Sequence, residues 1–156
     1  MNILVTGGTG FVGKPLVESL LSRGDSVTVL TRSIEKAQTI FPEKTPQFLT
    51  ALSTLKDLNE FDAVINLAGE PIFDKRWTVQ QKEKLRHSRI DLTQQLVQLI
   101  NQSEYPPALI SGSATGIYGN CGEDVLTENS YPSSQFTAQL CIDWENAAKQ
   151  ANTRVC

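Results

Sequence analysis

Eight residues near the start of the chain, TGGTGFVG at 6–13, have the types and spacing that can hold a phosphate. Gly7, Gly10 and Gly13 lie three residues apart, between an apolar run at 2–6 and a segment whose apolar positions Val12, Leu16, Leu20 and Leu21 recur at helical spacing. Each glycine meets a separate demand. Gly7 permits a tight turn out of the strand, Gly10 leaves the backbone bare for a pyrophosphate, and Gly13 lets the helix pack closely on the sheet. The free N–H groups at the helix start carry partial positive charge. Thr6, Gly7, Gly10, Phe11, Val12 and Gly13 are therefore the candidate cofactor-binding residues of this segment. Residues 8–14 also satisfy G-x-x-x-x-G-K, the opening of a nucleoside-triphosphate loop. That loop needs a hydroxyl at the next position to bind Mg²⁺, and Pro15 has none.

A second group of residues selects the dinucleotide. Where an NAD site carries an acid for the ribose 2′-hydroxyl, this chain has Leu30-Thr31-Arg32-Ser33. An acid would repel a 2′-phosphate, whereas Arg32 donates charge-assisted hydrogen bonds to one, and Thr31 and Ser33 add neutral donors. The expected cofactor is NADP(H). Other chemistry is thinly represented. His87 is the only histidine and reads as an exposed helix residue; Cys121, Cys141 and Cys156 fit no zinc spacing and read as reduced thiols; no metal site is expected.

These residues need elements to position them. Strands are expected at 2–6, 26–31, 47–50, 62–67 and 107–111, with a sixth barely begun at 153–156. Helices are expected at 11–23 (closed by Gly24), 33–41 (capped by Ser33), 79–102 and 136–151. The alternation implies an α/β fold of the Rossmann type: a doubly wound, mainly parallel sheet with helices on both faces. The long loops 69–78 and 118–135 follow strand ends, where such sheets place ligands. With 156 residues, 40% hydrophobic and 20% charged, the chain is long enough for one well-filled domain. A net charge of −3 gives no reason to bind nucleic acid or anionic lipid. No apolar run approaches the roughly 20 residues needed to cross a bilayer, and the N-terminus lacks the pattern of a signal peptide. The expected location is cytoplasmic.

TGGTGFVG, NLAG at 66–69 and SGSATGIYG at 111–119 together resemble the extended short-chain dehydrogenases, which include sugar-nucleotide epimerases. The likeness to the YfcH-type epimerase-family proteins is closer. It is carried by INLAGEPIFDKRW at 65–77, SR at 88–89, ISGSATGIYG at 110–119 and LCIDWE at 140–145, over essentially the whole chain. The resemblance implies that Leu67 and Ala68 contact the adenosine side of the cofactor, that Gly69 allows close approach, and that Arg89 reaches a phosphate or ribose. It also implies that Ser113, with Ser111 as the weaker candidate, hydrogen-bonds a substrate oxygen.

The chain departs from an active dehydrogenase in one respect. Such enzymes carry Tyr-x-x-x-Lys on the helix after the fifth strand, the lysine lowering the tyrosine pKa for acid–base work. Counting back from Glu145 places Cys141 at the lysine position and Thr137 at the tyrosine position. Phe136 lacks a hydroxyl, and Tyr131 has no lysine four residues on. Trp144 reads as packing, and Glu145 as a surface or ion-pair residue. Residues 1–156 are expected to be an NADP-binding domain whose substrate-binding partner domain lies outside the chain. Two functions stay open: a domain of an NADP-dependent oxidoreductase or epimerase acting on an unidentified small molecule, and a non-catalytic module that senses NADP redox state. A homodimer through the 79–102 helix also stays open.

Overall fold

Alternating side chains on the first strand decide the layers. In the computed structural model, which describes residues 1–42 and 45–156, β1 (Asn2–Thr6) buries Leu4 on one face and Ile3 and Val5 on the other. β1 is central in a parallel sheet of order β3-β2-β1-β4-β5, with β2 at Ser26–Leu30, β3 at Gln47–Leu49, β4 at Ala63–Asn66 and β5 at Ala108–Ser111. This order reverses direction at β1, so a crevice opens above its C-terminal end between the outgoing β2 and β4 segments. The fold is the expected Rossmann-like, doubly wound, mainly parallel sheet.

Helices cover both faces. α1 (Gly13–Arg23) packs Val17 and Leu20 on Ile3, Val5, Val27 and Val29, with Phe41 at the end of α2 (Ile34–Ile40) in the same cluster. On the other face, α4 (Ile90–Gln102) packs Leu96, Val97, Leu99 and Ile100 on Leu4, Val64 and Leu109. α5 (Phe136–Ala148) adds Ala148 to that cluster.

Local signals set most boundaries. Gly24 ends α1 in the left-handed conformation at φ 91°, and the Ser33 hydroxyl accepts from Lys36 N–H at the start of α2. α1 begins at Gly13, two residues later than expected, and leaves Phe11 and Val12 exposed in the turn. α5 ends at Ala148 instead of 151. Its last turn tightens, as Gln150 and Ala151 N–H reach the carbonyls of Ala147 and Ala148. The expected sixth strand is a single parallel bridge, Val155 to Leu109, on the open edge of β5.

The single helix expected over 79–102 is two: α3 (Val79–His87) and α4, broken at Ser88–Arg89. The Leu85 carbonyl, which would accept from Arg89 N–H in a continuous helix, instead accepts from the Ser88 hydroxyl at 3.1 Å and the Arg89 guanidinium at 3.2 Å. Arg89 N–H turns to the Arg86 carbonyl, one residue short of the α-helical partner. Side chains have displaced the backbone bond at this point, which breaks the helix.

Candidate functional site

The glycine turn is built by close approach of backbone to backbone. Gly7 has φ 68°, and a Cβ there would lie 2.7 Å from the Leu67 carbonyl carbon and 2.8 Å from Ala68 N. The β1 turn thus rests directly on the end of β4. A Cβ at Gly13 would overlap the Gly7 carbonyl oxygen, so only glycine lets α1 start this close to the strand. Gly10 differs. It is exposed, and a Cβ there would meet only the Gly7 oxygen, at 3.2 Å, with open space beyond. No side chain caps the N-terminus of α1, whereas Ser33 and Thr78 cap α2 and α3. Of the first N–H groups of α1, Lys14's is taken by the Gly10 carbonyl at 2.9 Å and Pro15 has none, which leaves that of Gly13 without an acceptor among the described residues. A bare turn and an uncapped helix start fit a dinucleotide pyrophosphate.

Beyond β2, Arg32 is exposed. The Thr31 hydroxyl is engaged in the turn, donating to the Ser33 carbonyl at 3.1 Å and accepting from Ser33 N–H at 3.3 Å. Arg32 is thus the residue of this pair whose polar end stands outward.

A buried polar chain runs beneath the crevice. The Thr6 hydroxyl donates to Asn66 Oδ1 at 2.7 Å and accepts from Ala68 N–H at 3.2 Å. Asn66 Nδ2 donates to Thr93 Oγ1 at 2.8 Å, Trp144 Nε1 donates to the same oxygen at 3.0 Å, and Thr93 donates to the Arg89 carbonyl at 2.6 Å. Thr6, Asn66 and Thr93 are fully buried, and each polar atom is satisfied within the chain. The segment Leu67–Gly69 is held in place by this network. At Gly69 the close approach comes from within the protein: a Cβ would lie 2.7 Å from Arg89 Cζ. The Arg89 guanidinium also donates to the Glu70 carbonyl at 3.1 Å and lies 5.4 Å over the Trp144 ring. Burial pushes its pKa down from the usual arginine range.

The β5–α5 side has a different character. Ser111 turns inward, its hydroxyl 3.5 Å from Asn66 Nδ2. Ser113 is exposed and donates to Glu145 Oε1 at 2.7 Å. Both Ser113 and Glu145 line an open cleft of about 640 Å³ with Thr115, Tyr118, Glu128 and Ser130. Cys141 is buried, and that burial raises its thiol pKa although a hydrogen bond with the Ala114 backbone opposes the shift. Thr137 faces the turn after β5: a Cβ at Gly116 would lie 3.6 Å from Thr137 Cβ. Positions 137 and 141 therefore face the end of β5, where a tyrosine and a lysine would work, without side chains suited to it. Tyr131 is almost fully exposed, and Phe136 packs edge-on against Trp77.

The fold also brings together residues that the motifs did not single out. Asn66 and Thr93 form the floor, and a polar residue closing the apolar strand DAVINL was the available signal for Asn66. The Ser113–Glu145 pair spans 32 residues and had no local signal. His87 is exposed at the end of α3, with Nδ1 2.6 Å from Asp91 Oδ2. Among the described residues no group of His, Cys, Asp and Glu is placed to hold a metal ion, and no helix is long and apolar enough to cross a membrane.

Known proteins extend this description. The sequence model of the NAD dependent epimerase/dehydratase family matches residues 3–156. The epimerase family protein SDR39U1 homolog, chloroplastic, of Arabidopsis thaliana is 40% identical over 161 residues, covering 99% of this chain and 46% of the relative. The epimerase family protein YfhF of Bacillus subtilis is 38% identical over 151 residues, covering 93% of this chain and 48% of the relative. The crystal structure of human epimerase family protein SDR39U1 (isoform2) with NADPH superposes with a TM-score of 0.82 at 29% identity, over 99% of this chain and 52% of that one. The chain thus spans about half the length of the relatives it matches.

Proposed function

This chain belongs to the NAD-dependent epimerase/dehydratase family, and on that premise we propose that it binds NADP(H) in preference to NAD(H), as the cofactor domain of an oxidoreductase or epimerase. The observation that carries the reading is the bare glycine turn at the uncapped start of α1, with Arg32 standing outward beyond β2. The dinucleotide's pyrophosphate would take N–H groups of the turn and that of Gly13 at the start of α1, and Arg32 would take the 2′-phosphate. Leu67, Ala68 and Gly69 would line the adenosine side. Arg89 would act from behind Gly69, because its guanidinium already holds the Glu70 and Leu85 carbonyls. The segments GEPIFDKRW and DWE support placement in the YfcH-type branch. We read residues 1–156 as one cofactor-binding domain and place the substrate-binding wall in a further domain.

The nicotinamide, when bound, supplies hydride chemistry. What this chain adds on the reaction side is Ser113, whose hydroxyl would orient a substrate oxygen in the cleft beside Glu145. Thr137 and Cys141 favour a second reading, a cofactor-binding module that reports NADP redox state to a partner without turnover, because neither can replace the tyrosine–lysine pair.

Calorimetric titration of the chain with NADPH and NADH at matched salt tests the cofactor reading. The expected result is tighter NADPH binding, with Arg32→Ala costing about tenfold for NADPH and less than about twofold for NADH. Tighter NADH binding by the unsubstituted chain would overturn the preference.

A further inference from the structure

The segment between β4 and α3 starts against the glycine turn and carries a paired cation. Its first residues, Leu67 and Ala68, touch Gly7, and Glu70 follows two positions later. The Glu70 backbone is clamped on both sides: its N–H donates to the Ser88 hydroxyl at 2.9 Å, and its carbonyl accepts from Arg89 at 3.1 Å. Its carboxylate, with a side chain only 21% exposed, accepts from Lys75 Nζ at 2.8 Å and from Gln81 Nε2 at 3.5 Å. Lys75 is 59% exposed, and nearby Phe73 packs on almost nothing.

Charge makes this arrangement informative. Residues 6–13 contain no lysine or arginine, and the Lys14 ammonium lies 3.8 Å from Glu18 along the exposed face of α1. A pyrophosphate carries two negative charges, so the glycine turn alone offers it N–H groups and no full positive charge. An isolated carboxylate two residues beyond Ala68 would oppose phosphate binding; Glu70 is covered by a cation instead.

We propose that Lys75 is a phosphate-binding residue of the dinucleotide site, held on Glu70 until a cofactor phosphate takes its ammonium. The inference rests on the dinucleotide reading above and adds a residue to it. Gln81 makes the exchange workable, since it keeps a donor on the Glu70 carboxylate after Lys75 leaves. The electrostatics agree. The hydrogen bond from Lys75, then that from Gln81, hold the Glu70 carboxyl below the usual carboxylate range, and Arg32 contributes from the β2 side. Cations from both flanks of the crevice thus act on one anion. The Glu70 hydrogen bond also raises the Lys75 pKa, so its ammonium is charged at neutral pH.

The phosphate taken is either the pyrophosphate, common to both cofactors, or the 2′-phosphate of NADPH alone. Titrating the full chain with NADPH and NADH, in parallel with its variants, separates the two. Lys75→Ala is expected to weaken binding about tenfold and to flatten its salt dependence, with Lys75→Arg restoring most of it. Loss for both cofactors assigns Lys75 to the pyrophosphate, and loss for NADPH alone assigns it to the 2′-phosphate. Glu70→Gln keeps an acceptor for Gln81 and should leave binding equal or tighter. Unchanged affinity for both cofactors in Lys75→Ala overturns the inference while leaving the dinucleotide reading intact. Weaker binding in Glu70→Gln overturns the exchange. No binding of either cofactor by the unsubstituted chain overturns the dinucleotide reading and the inference with it.

Discussion

The C-terminal edge of the sheet has two halves, and they store chemistry in different parts of the chain. Over β1, the candidate ligand contacts are backbone: bare glycines, a helix start and a φ of 68° at Gly7. Over β5 they are side chains, Ser113 on the turn after the strand and Glu145 on α5, and most of the packing of that helix comes from other positions. Ala138, Leu140, Trp144, Ala147 and Ala148 bury α5 without help from position 137. The tyrosine of an active dehydrogenase can therefore be absent without disturbing the fold, whereas Gly7 and Gly13 cannot change without disturbing it. A binding site made of backbone is tied to stability, and a reaction site made of side chains is tied to it only where a side chain is buried, as Cys141 is.

The largest expected effect tests the first half of that statement. Gly13→Ala places a methyl group in the Gly7 carbonyl, with backbone on both sides and nothing flexible to yield. It should cost about 3 kcal/mol or more in urea unfolding and abolish cofactor binding. Gly10→Ala separates the two quantities, since its methyl group meets only the Gly7 carbonyl oxygen, at 3.2 Å. That variant should keep stability within about 1 kcal/mol and still lose affinity about tenfold. If both variants lose stability equally, the turn is only a structural element.

Much of this division can be read in the sequence, for physical reasons. TGGTGFVG specifies its own geometry within eight residues. Gly24 and Ser33 mark helix ends by local rules that the fold follows at φ 91° and at the Lys36 N–H. Thr137 and Cys141 could be assigned by counting along one helix. The break at Ser88–Arg89 could not be found this way, because Leu85, Leu92, Leu96, Leu99 and Ile100 keep helical periodicity straight through it. The side chains that break it have a distant anchor: Glu70, 18 and 19 residues away, bonds the Ser88 hydroxyl through its N–H and the Arg89 guanidinium through its carbonyl. The Ser113–Glu145 and Asn66–Thr93 contacts were hidden for the same reason.

A middle-sized effect concerns Cys141. Returning a lysine there does not restore the missing pair, because the site is 6% exposed and the Arg89 charge already acts on it. Cys141→Lys should destabilise the chain at pH 7 by about 2–4 kcal/mol through burial of an ammonium. Its lysine pKa would fall on folding, so the penalty is full below the folded value and fades as pH rises toward the unfolded one. The unsubstituted chain has the opposite slope. Burial raises the Cys141 thiol above its ordinary 9.0, so the stability this thiol contributes is whole below about pH 9 and declines above it. Thermal melts from pH 7 to 10 should show the two proteins converging; parallel curves would mean that position 141 is wetter than the structure has it.

The smallest effect is the strictest test of the separation. Ser113→Ala removes an exposed hydroxyl that donates to Glu145 at 2.7 Å, and Glu145 keeps Lys149 at 3.4 Å as its partner. No carboxylate is stranded, so stability should change by less than about 0.5 kcal/mol. Ser113 touches neither the glycine turn nor the Thr6–Asn66–Thr93 chain, and the NADPH affinity should stay within about twofold. A protein made of two independent halves permits that silence. A clear loss of cofactor affinity would instead show that the hydroxyl over β5 is felt over β1. The link would then run through Ser111, whose hydroxyl meets Asn66, and the reaction side would be part of the cofactor site rather than its neighbour.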